Sequence, residues 1–481
     1  MAEAFSPNPT QPERLVGLPP VRVAAQLRHL PGLVFFDTAG NLPASAGSAI
    51  SVIAARPERV LRGSIHVARD RDVLGEALAA GGGRQASATV ARALPLAICL
   101  RLSPLCSGSA SLPFCPDPSL LKDPCATADC PSFPLGGLCG WVDYEGGFVF
   151  GDFPEMLVFS HVDQRWWETG RLSEDLRTSV EPTAVIGPFV AATCRDGFVR
   201  GVERIKDWIA AGDIYQVNLS QAFEAEVTGG SLFGLYEALR GASPAPMAAW
   251  LALDGKEVLS SSPEGFLKIS GHAIETRPIK GTRPRFADPV ADRRSAHELQ
   301  TSAKEIAELV MITDLLRNDL GQVCEFGSVK VAAMLQLESL AQVHHLVSTV
   351  TGTLRPGTGA IGALAACFPG GSITGAPKKR AMEIIREVEE VPRGLYCGAL
   401  GWFGYNGESS FNLAIRTLVR DGTRLVYQVG AGIVADSDPQ QEYEETLHKA
   451  AGIRLAVAAE GGRHGASDHP QRKLSMDGRG A

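Results

Sequence analysis

One acid and one amine stand out for what they could do together. Glu264 lies in Ser262-Pro-Glu-Gly-Phe-Leu-Lys-Ile269, and Lys280 follows in Ile274-Glu-Thr-Arg-Pro-Ile-Lys-Gly-Thr-Arg283. Held close, such a pair can act as general acid and as nucleophile or base. Pro278 and Gly281 bracket the lysine and restrict its backbone, which suits a positioned side chain. A surface ion pair across a hairpin accounts for the same two residues and would contribute little.

Other residues could join them. Glu305 and Glu308 stand three apart in a helical stretch, as do Glu442 and Glu445, so each pair shares a helix face. Two such pairs could flank a hard divalent cation, most simply Mg2+, whose remaining waters stay open to a substrate carboxylate. Two solvated glutamate pairs are the plainer alternative. Phe368-Pro-Gly-Gly-Ser-Ile-Thr-Gly-Ala-Pro-Lys-Lys-Arg380 runs a Gly-rich loop into a helix with Pro377 near its start. Free amides there would attract an anion, although the nucleotide P-loop pattern is absent. A turn with a helix cap explains the same residues.

In Val343-His-His-Leu-Val347 strand alternation sends His344 and His345 to opposite faces, so one can face a cavity. Gly430-Ala-Gly432 follows a strand and permits close backbone approach to a ligand. Arg416 is a single cation in an apolar strand and needs an acidic partner, from the protein or from a ligand carboxylate.

The elements that must position these residues are legible in outline. Phe266–Ile269 and Ala273–Thr276 read as two strands joined at Ser270-Gly-His272, a connection that returns Lys280 toward Glu264. Short strands are expected over 33–37, 49–54, 61–67, 136–150 and 155–161, and a short helix over 73–80. Phe198, Val202, Ile205 and Ile209 give Arg195–Ala211 a helical period. A strand over 214–228, a helix over 232–241 and strands over 248–253 and 257–261 follow. The pattern then predicts one long helix over 291–320, mostly strand over 329–354, helices over 359–367 and 378–390, and strands over 396–405, 412–419 and 425–429. A single helix over 439–459 closes the pattern. Strands broken by helix pairs, with many hairpin-like connections, indicate a large α+β fold with mainly antiparallel sheets and flanking helices.

Along the 481 residues, 1–20 read as a disordered N-terminus, 21–188 as an N-terminal subdomain, 189–460 as the catalytic domain and 461–481 as a disordered tail. A Cys- and Pro-rich insertion near 95–135 has no histidine and irregular spacings, which fits a poorly packed segment better than a metal cluster. Pro182–Pro188 reads as a linker. A net charge of −7 argues against a general nucleic-acid binder. The absence of a long apolar run or an export signal predicts a cytoplasmic protein away from the membrane, with its ten cysteines reduced.

Taken together, the order of these motifs resembles the chorismate-utilising enzymes. The match rests on Ser-Pro-Glu264, Arg-Pro-Ile-Lys280-Gly-Thr, Asp314-Leu-Leu-Arg-Asn-Asp319, His345-Leu-Val-Ser, Phe-Pro-Gly-Gly-Ser372-Ile-Thr-Gly-Ala-Pro-Lys, Ile-Arg416-Thr, Gly432-Ile-Val-Ala-Asp-Ser and Glu442-Tyr-Glu-Glu-Thr. It covers residues 195–458 and is faint before them. The family includes the large subunits of anthranilate synthase and aminodeoxychorismate synthase, with isochorismate synthases more distant. Lys280 in Pro-Ile-Lys-Gly-Thr looks like the aminodeoxychorismate synthase branch, since anthranilate synthases typically carry alanine there.

The resemblance implies a large two-layered chorismate-binding fold and amination of chorismate at C4, with Lys280 as covalent nucleophile and Glu264 as general acid. It implies Mg2+ on Glu305, Glu308, Glu442 and Glu445, and substrate contacts at Gly281, Thr282, His345, Ser372, Tyr396, Arg416 and Gly432. Anthranilate synthase, isochorismate synthase and a non-catalytic chorismate-binding scaffold are the alternatives. No Gly-x-Cys-x-Gly elbow is present, so ammonia would come from a separate glutamine amidotransferase partner or from solution. Two departures stand out. Gly265 replaces an arginine common in close relatives, and Val34–Thr38 is the nearest stretch to the Leu-Leu-Glu-Ser segment that binds a feedback amino acid.

Overall fold

The computed structural model describes residues 12–39, 50–93, 132–178, 182–340 and 343–465. The insertion near 95–135 therefore lies outside the described residues except for its last four positions, and the C-terminal tail lies outside from 466. The N-terminal stretch is not wholly loose: Glu13–Leu15 form a 3-10 turn, and Leu15 is fully buried.

Two antiparallel sheets dominate. One runs, in spatial order, Gly375–Ala376, Gln216–Thr228, Arg424–Ile433, Thr417–Asp421, Lys256–Ser262, Met247–Leu253, Val34–Asp37, Ile50–Ala54, Met156–Ser160 and Arg165–Thr169. The other runs Ile279–Pro284, Val343–Thr353, Ala273–Thr276, Gly265–Ser270, Glu408–Leu413, Ala399–Gly404, Gly137–Val142, Gly147–Phe153 and Arg59–Ser64, and Lys330–Ser339 also pairs with Val343–Thr353. Both sheets take strands from either side of residue 188, so the division read there is a boundary along the chain and not between packed units. The expected linker also contributes, since Val185–Ile186 pairs with the end of Gln216–Thr228.

Alternation decides what each strand buries. Val34, Leu251 and Val258 meet Cys139, Trp141, Leu400 and Trp402 of the second sheet in a core between the sheets. Their neighbours Phe35, Trp250 and Leu259 point the other way, where Leu235 and Ile453 of the helices Phe233–Ala242 and Ala451–Gly465 cover them. Phe150, Phe403 and Phe411 occupy the outer face of the second sheet, in a core shared with Leu74, Leu364 and Ile384 from three helices. The result is α+β, as the strand and helix pattern predicts.

Several boundaries differ from the sequence pattern. The long helix is two, Pro289–Gln300 and Ala303–Gly321, because the Ser302 side chain caps a new start on Glu305 N–H. The closing helix is also two, Pro439–Lys449 and Ala451–Gly465, the first capped by Asp438. Ala68–Ala93 is one helix, longer than the short stretch expected, because packing against Arg59–Ser64 and Gly137–Val142 carries it through Gly81–Gly83. The helix Pro20–Leu27 and the strands Arg165–Thr169 and Ile279–Pro284 had no pattern of their own.

Among the described residues no helix is long and apolar enough to cross a membrane. Cys139, Cys194, Cys324, Cys367 and Cys397 are free thiols.

The aromatic cluster of the second sheet sets a stability test. Phe403 is fully buried, with ring centroids 4.7 Å from Phe411 and 5.5 Å from Phe150. Phe403→Ala is expected to cost about 3–5 kcal/mol of folding stability, read as a fall in the urea midpoint.

Candidate active site

The chain changes sheets twice at one place. Lys256–Ser262 lies in one sheet and Gly265–Ser270 in the other, and Glu264 occupies the step between them. Glu408–Leu413 and Thr417–Asp421 make the reverse step through Ala414, Ile415 and Arg416. The sequence reads 412–419 as one strand because its apolar run hides this step, where Arg416 takes a φ of 50°. Backbone and side-chain bonds stitch the steps together. Leu413 N–H donates to the Glu264 carbonyl at 3.1 Å, Ser261 N–H to the Arg416 carbonyl at 3.1 Å, and the Ser262 hydroxyl to the Leu413 carbonyl at 2.6 Å.

Beside these steps opens a cavity of about 660 Å³. Glu264, Lys280, Gly281, Thr282, His345, Ser372, Tyr396, Arg416 and Gly432 all border it, as do Glu305, Glu308 and Glu445. Glu442 stands behind the wall, buried, with its carboxylate 3.8 Å from the wall residue Lys304.

Glu264 is only 6% exposed and accepts a hydrogen bond from the Ser372 hydroxyl at 2.7 Å. Burial pushes its carboxyl up to about 7, while Ser372, the Lys280 charge and the Ile279 N–H pull the other way. It can therefore carry a proton near neutrality. Gly265 does not weaken this support. A side chain there would enter open space, and the partners of Glu264 come from elsewhere.

Lys280 sits on Ile279–Pro284 where the register with Val343–Thr353 shifts between Lys280 and Thr282. Gly281 makes that bulge with a φ of 69°, and a Cβ on it would meet Leu299 at 2.5 Å and Glu305 at 3.1 Å. The Lys280 Nζ lies 3.6 Å from Glu308. It also faces the bare backbone of Gly432, where a Cβ would come within 3.7 Å of it.

The two histidines part as alternation requires. His344 bonds Ser339 at 2.8 Å and Asp292 at 3.0 Å, away from the cavity. His345, 2% exposed, shares its Nδ1 between Thr282 at 3.1 Å and the Gly281 carbonyl at 3.2 Å. Burial pushes it down to about 4, so the ring is neutral near pH 7. With Nδ1–H donating to the carbonyl, Nε2 is an acceptor that no described residue satisfies. Arg416 is also left open. Burial alone lowers it, with no acidic neighbour among the described residues to offset the cost.

The four helix glutamates each face a basic group. Glu305 is 3.6 Å from Arg283, Glu308 is 3.6 Å from Lys280, Glu442 is 3.8 Å from Lys304, and Glu445 is 2.8 Å from Lys449. Among the described residues, no three His, Cys, Asp or Glu side chains close up into a ready ligand cluster. The donor set is nonetheless all oxygen, with Glu305 and Glu442 in the first turns of two helices and Glu308 and Glu445 one turn further along. Burial raises Glu305 and Glu442, and Glu308 and Glu445 respectively add like-charge repulsion that a bound cation would relieve. These residues fit a hard divalent cation.

The Gly-rich loop contributes differently from expectation. It supplies the Ser372 hydroxyl and a short strand, Gly375–Ala376, and Lys378 is turned inward onto Asp319 at 2.6 Å. Asn218, Lys304 and Lys449 also border the cavity without having been singled out from the sequence. Two of them had a signal: Lys449 lies four residues after Glu445, a helical ion-pair spacing, and Asn218 alternates with Gln216 along an apolar strand.

The description "chorismate binding enzyme" fits a family whose match covers residues 159–454. The chain belongs to that family. Aminodeoxychorismate synthase component 1 of Bacillus subtilis (strain 168) is 44% identical over 271 residues, which are 56% of this chain and 57% of that relative. Anthranilate synthase component 1 of Methanothermobacter thermautotrophicus is 39% identical over 349 residues, 68% of this chain and 75% of that one. The chain thus spans little more than half of the first of these relatives. Among solved structures, anthranilate synthase component I from Streptococcus pneumoniae TIGR4 superposes with a TM-score of 0.64 and 25% identity, over 86% of this chain and 94% of its own.

A cavity guanidinium with no acidic neighbour among the described residues is placed to meet a ligand carboxylate. Arg416→Gln is expected to weaken chorismate binding roughly ten- to hundredfold, the worth of one charge-assisted hydrogen bond, as measured by isothermal titration calorimetry.

Proposed function

We propose that this chain aminates chorismate at C4 to give 4-amino-4-deoxychorismate, on the route to 4-aminobenzoate and folate. The observation that carries the reading is the amine of Lys280 in one cavity with the protonatable Glu264 and with Arg416, which has no acidic neighbour among the described residues. Sequence identity does not choose the branch, because relatives named for either amination match to a similar degree. Lys280 does, since anthranilate synthases typically have alanine at that position.

In this reading Tyr396, Arg416 and Gly432 hold the enolpyruvyl carboxylate, His345 and Ser372 lie near the ring, and Gly281 and Thr282 line the same pocket. The free amine of Lys280 attacks C2 as the C4 hydroxyl leaves, and Glu264 gives that hydroxyl its proton so that water departs. Ammonia then adds at C4, the C2–N bond to Lys280 breaks, and the amine is regenerated. The net change is chorismate plus ammonia to aminodeoxychorismate plus water. Mg2+ on Glu305, Glu308, Glu442 and Glu445 would neutralise the ring carboxylate. Ammonia comes from a separate glutamine amidotransferase subunit, consistent with the component 1 in the relatives' names. The protein works in the cytoplasm.

Incubation with chorismate, Mg2+ and ammonium, with products separated by chromatography and mass, tests the reading. 4-Amino-4-deoxychorismate supports it, and anthranilate as the product overturns it. Lys280→Ala is expected to abolish C4 amination, and full activity in that variant would remove the covalent role.

The pH dependence has a definite sign. Burial raises Glu264, so its acid form persists up to about pH 7 and is lost above it. The kcat/KM for chorismate should fall as pH rises through about 7, and Glu264→Gln should remove that limb along with most of the activity.

A further inference from the structure

Arg393 takes part in none of the steps above, yet it is more deeply buried than any cation that does. It lies in Val391-Pro-Arg-Gly-Leu-Tyr396, the segment that carries Tyr396 into the cavity wall. Its side chain is 1% exposed. A charge so buried is costly unless every N–H is used. Glu389 takes Nε and Nη2, each at 2.8 Å, and also accepts the Ser220 N–H at 2.8 Å. Nη1 donates to the Ile373 carbonyl at 2.9 Å, and Nη2 donates to the Asn218 carbonyl at 2.6 Å. The guanidinium stands 4.5 Å from the Tyr144 ring centroid and 5.8 Å from that of Tyr396.

One planar cation thus joins Asn218, Ile373 and Tyr396, and all of them border the cavity. Ile373 directly follows Ser372, whose hydroxyl is the hydrogen-bond donor to Glu264. We propose that Arg393 is a positioning residue: by gripping the Ile373 carbonyl it keeps the Ser372 hydroxyl on the Glu264 carboxyl, and with Tyr396 and Asn218 it fixes the wall beside them. The proposal rests on the reading of Glu264 as the acid of the reaction. The fork geometry is essential to it, since a lysine offers a point charge that cannot reach both carbonyls and Glu389 at fixed angles.

The test follows the Glu264 proton directly. The carbonyl stretch of the protonated carboxyl, assigned by its loss in Glu264→Gln, is followed against pH by infrared difference spectroscopy without substrate. The other groups that influence Glu264 are Lys280, the Ile279 N–H and the buried Cys397 thiol. Ser372→Ala removes a bond that favours the ionised form, so half-ionisation should move up by roughly one pH unit. Arg393→Lys should move it the same way, and the double variant should move it no further than Ser372→Ala alone. The descending limb of kcat/KM should shift in parallel.

A merely structural arginine would lower the amount of folded protein and leave the half-ionisation where it is. An unmoved titration in Arg393→Lys, or a shift that adds to that of Ser372→Ala, overturns the proposal. If Arg393→Lys does not fold, Glu389→Gln loosens the same grip and takes its place. Failure of both to fold assigns Arg393 to stability alone and also overturns it. Wild-type protein that titrates as expected but yields no aminated product removes the proposed function and leaves the positioning intact.

Discussion

The double step between the sheets is the constraint on which the site depends. Two neighbouring strand pairs leave one sheet and enter the other in opposite directions, and each step must find partners for its backbone outside a ladder. They find them in each other: Leu413 with Glu264, Ser261 with Arg416, and Ser262 with Leu413. This fixes an acid and a cation at the seam of the fold, with their relative placement set by main chain rather than by flexible side chains. The remaining groups are brought to that seam. Lys280 arrives on a bulged strand, Ser372 on the loop before Gly375–Ala376, and the glutamates on two helix starts.

Charge is the second organising fact. The cavity gathers acids and bases at a depth where an uncompensated charge is expensive, and each helix glutamate has its own basic neighbour. In the proposed reading a divalent cation enters together with a substrate bearing two carboxylates. The pair adds no net charge, so the protein's internal balance survives loading. Arg416 has no such neighbour among the described residues, and in the proposed reading a substrate carboxylate supplies its counter-charge.

Much of this was legible in the sequence. The fold class followed from short alternating strands broken by helix pairs, and motif order pointed to many of the residues that border the cavity, though not to Asn218, Lys304 or Lys449. What sequence could not show were changes of direction that leave the pattern unbroken. The step at Ala414–Arg416 hides in a stretch that reads as one strand, whereas the break at Ser302 did leave a trace, the Ser-x-x-Glu spacing to Glu305 that opens a helix. That break has consequences, because it puts Glu305 in a first turn, where free amides favour an acid. Arg393 had no signal at all. An arginine between Pro and Gly looks like an exposed turn, and only burial beside Glu389 and Tyr144 distinguishes it.

The interleaving of the sheets bears on how the family's shared region could be handled as a piece. Val34–Asp37 pairs with Met247–Leu253, and Gly137–Val142 pairs with Ala399–Gly404. A fragment beginning at residue 159 would lose the outer partner of both inner strands. Two rows of unpaired amides and carbonyls would open to solvent, each backed by Trp250 or Trp402, which is the arrangement that recruits foreign strands. The portion of the chain that holds the cavity residues thus does not hold all the strands that complete its sheets.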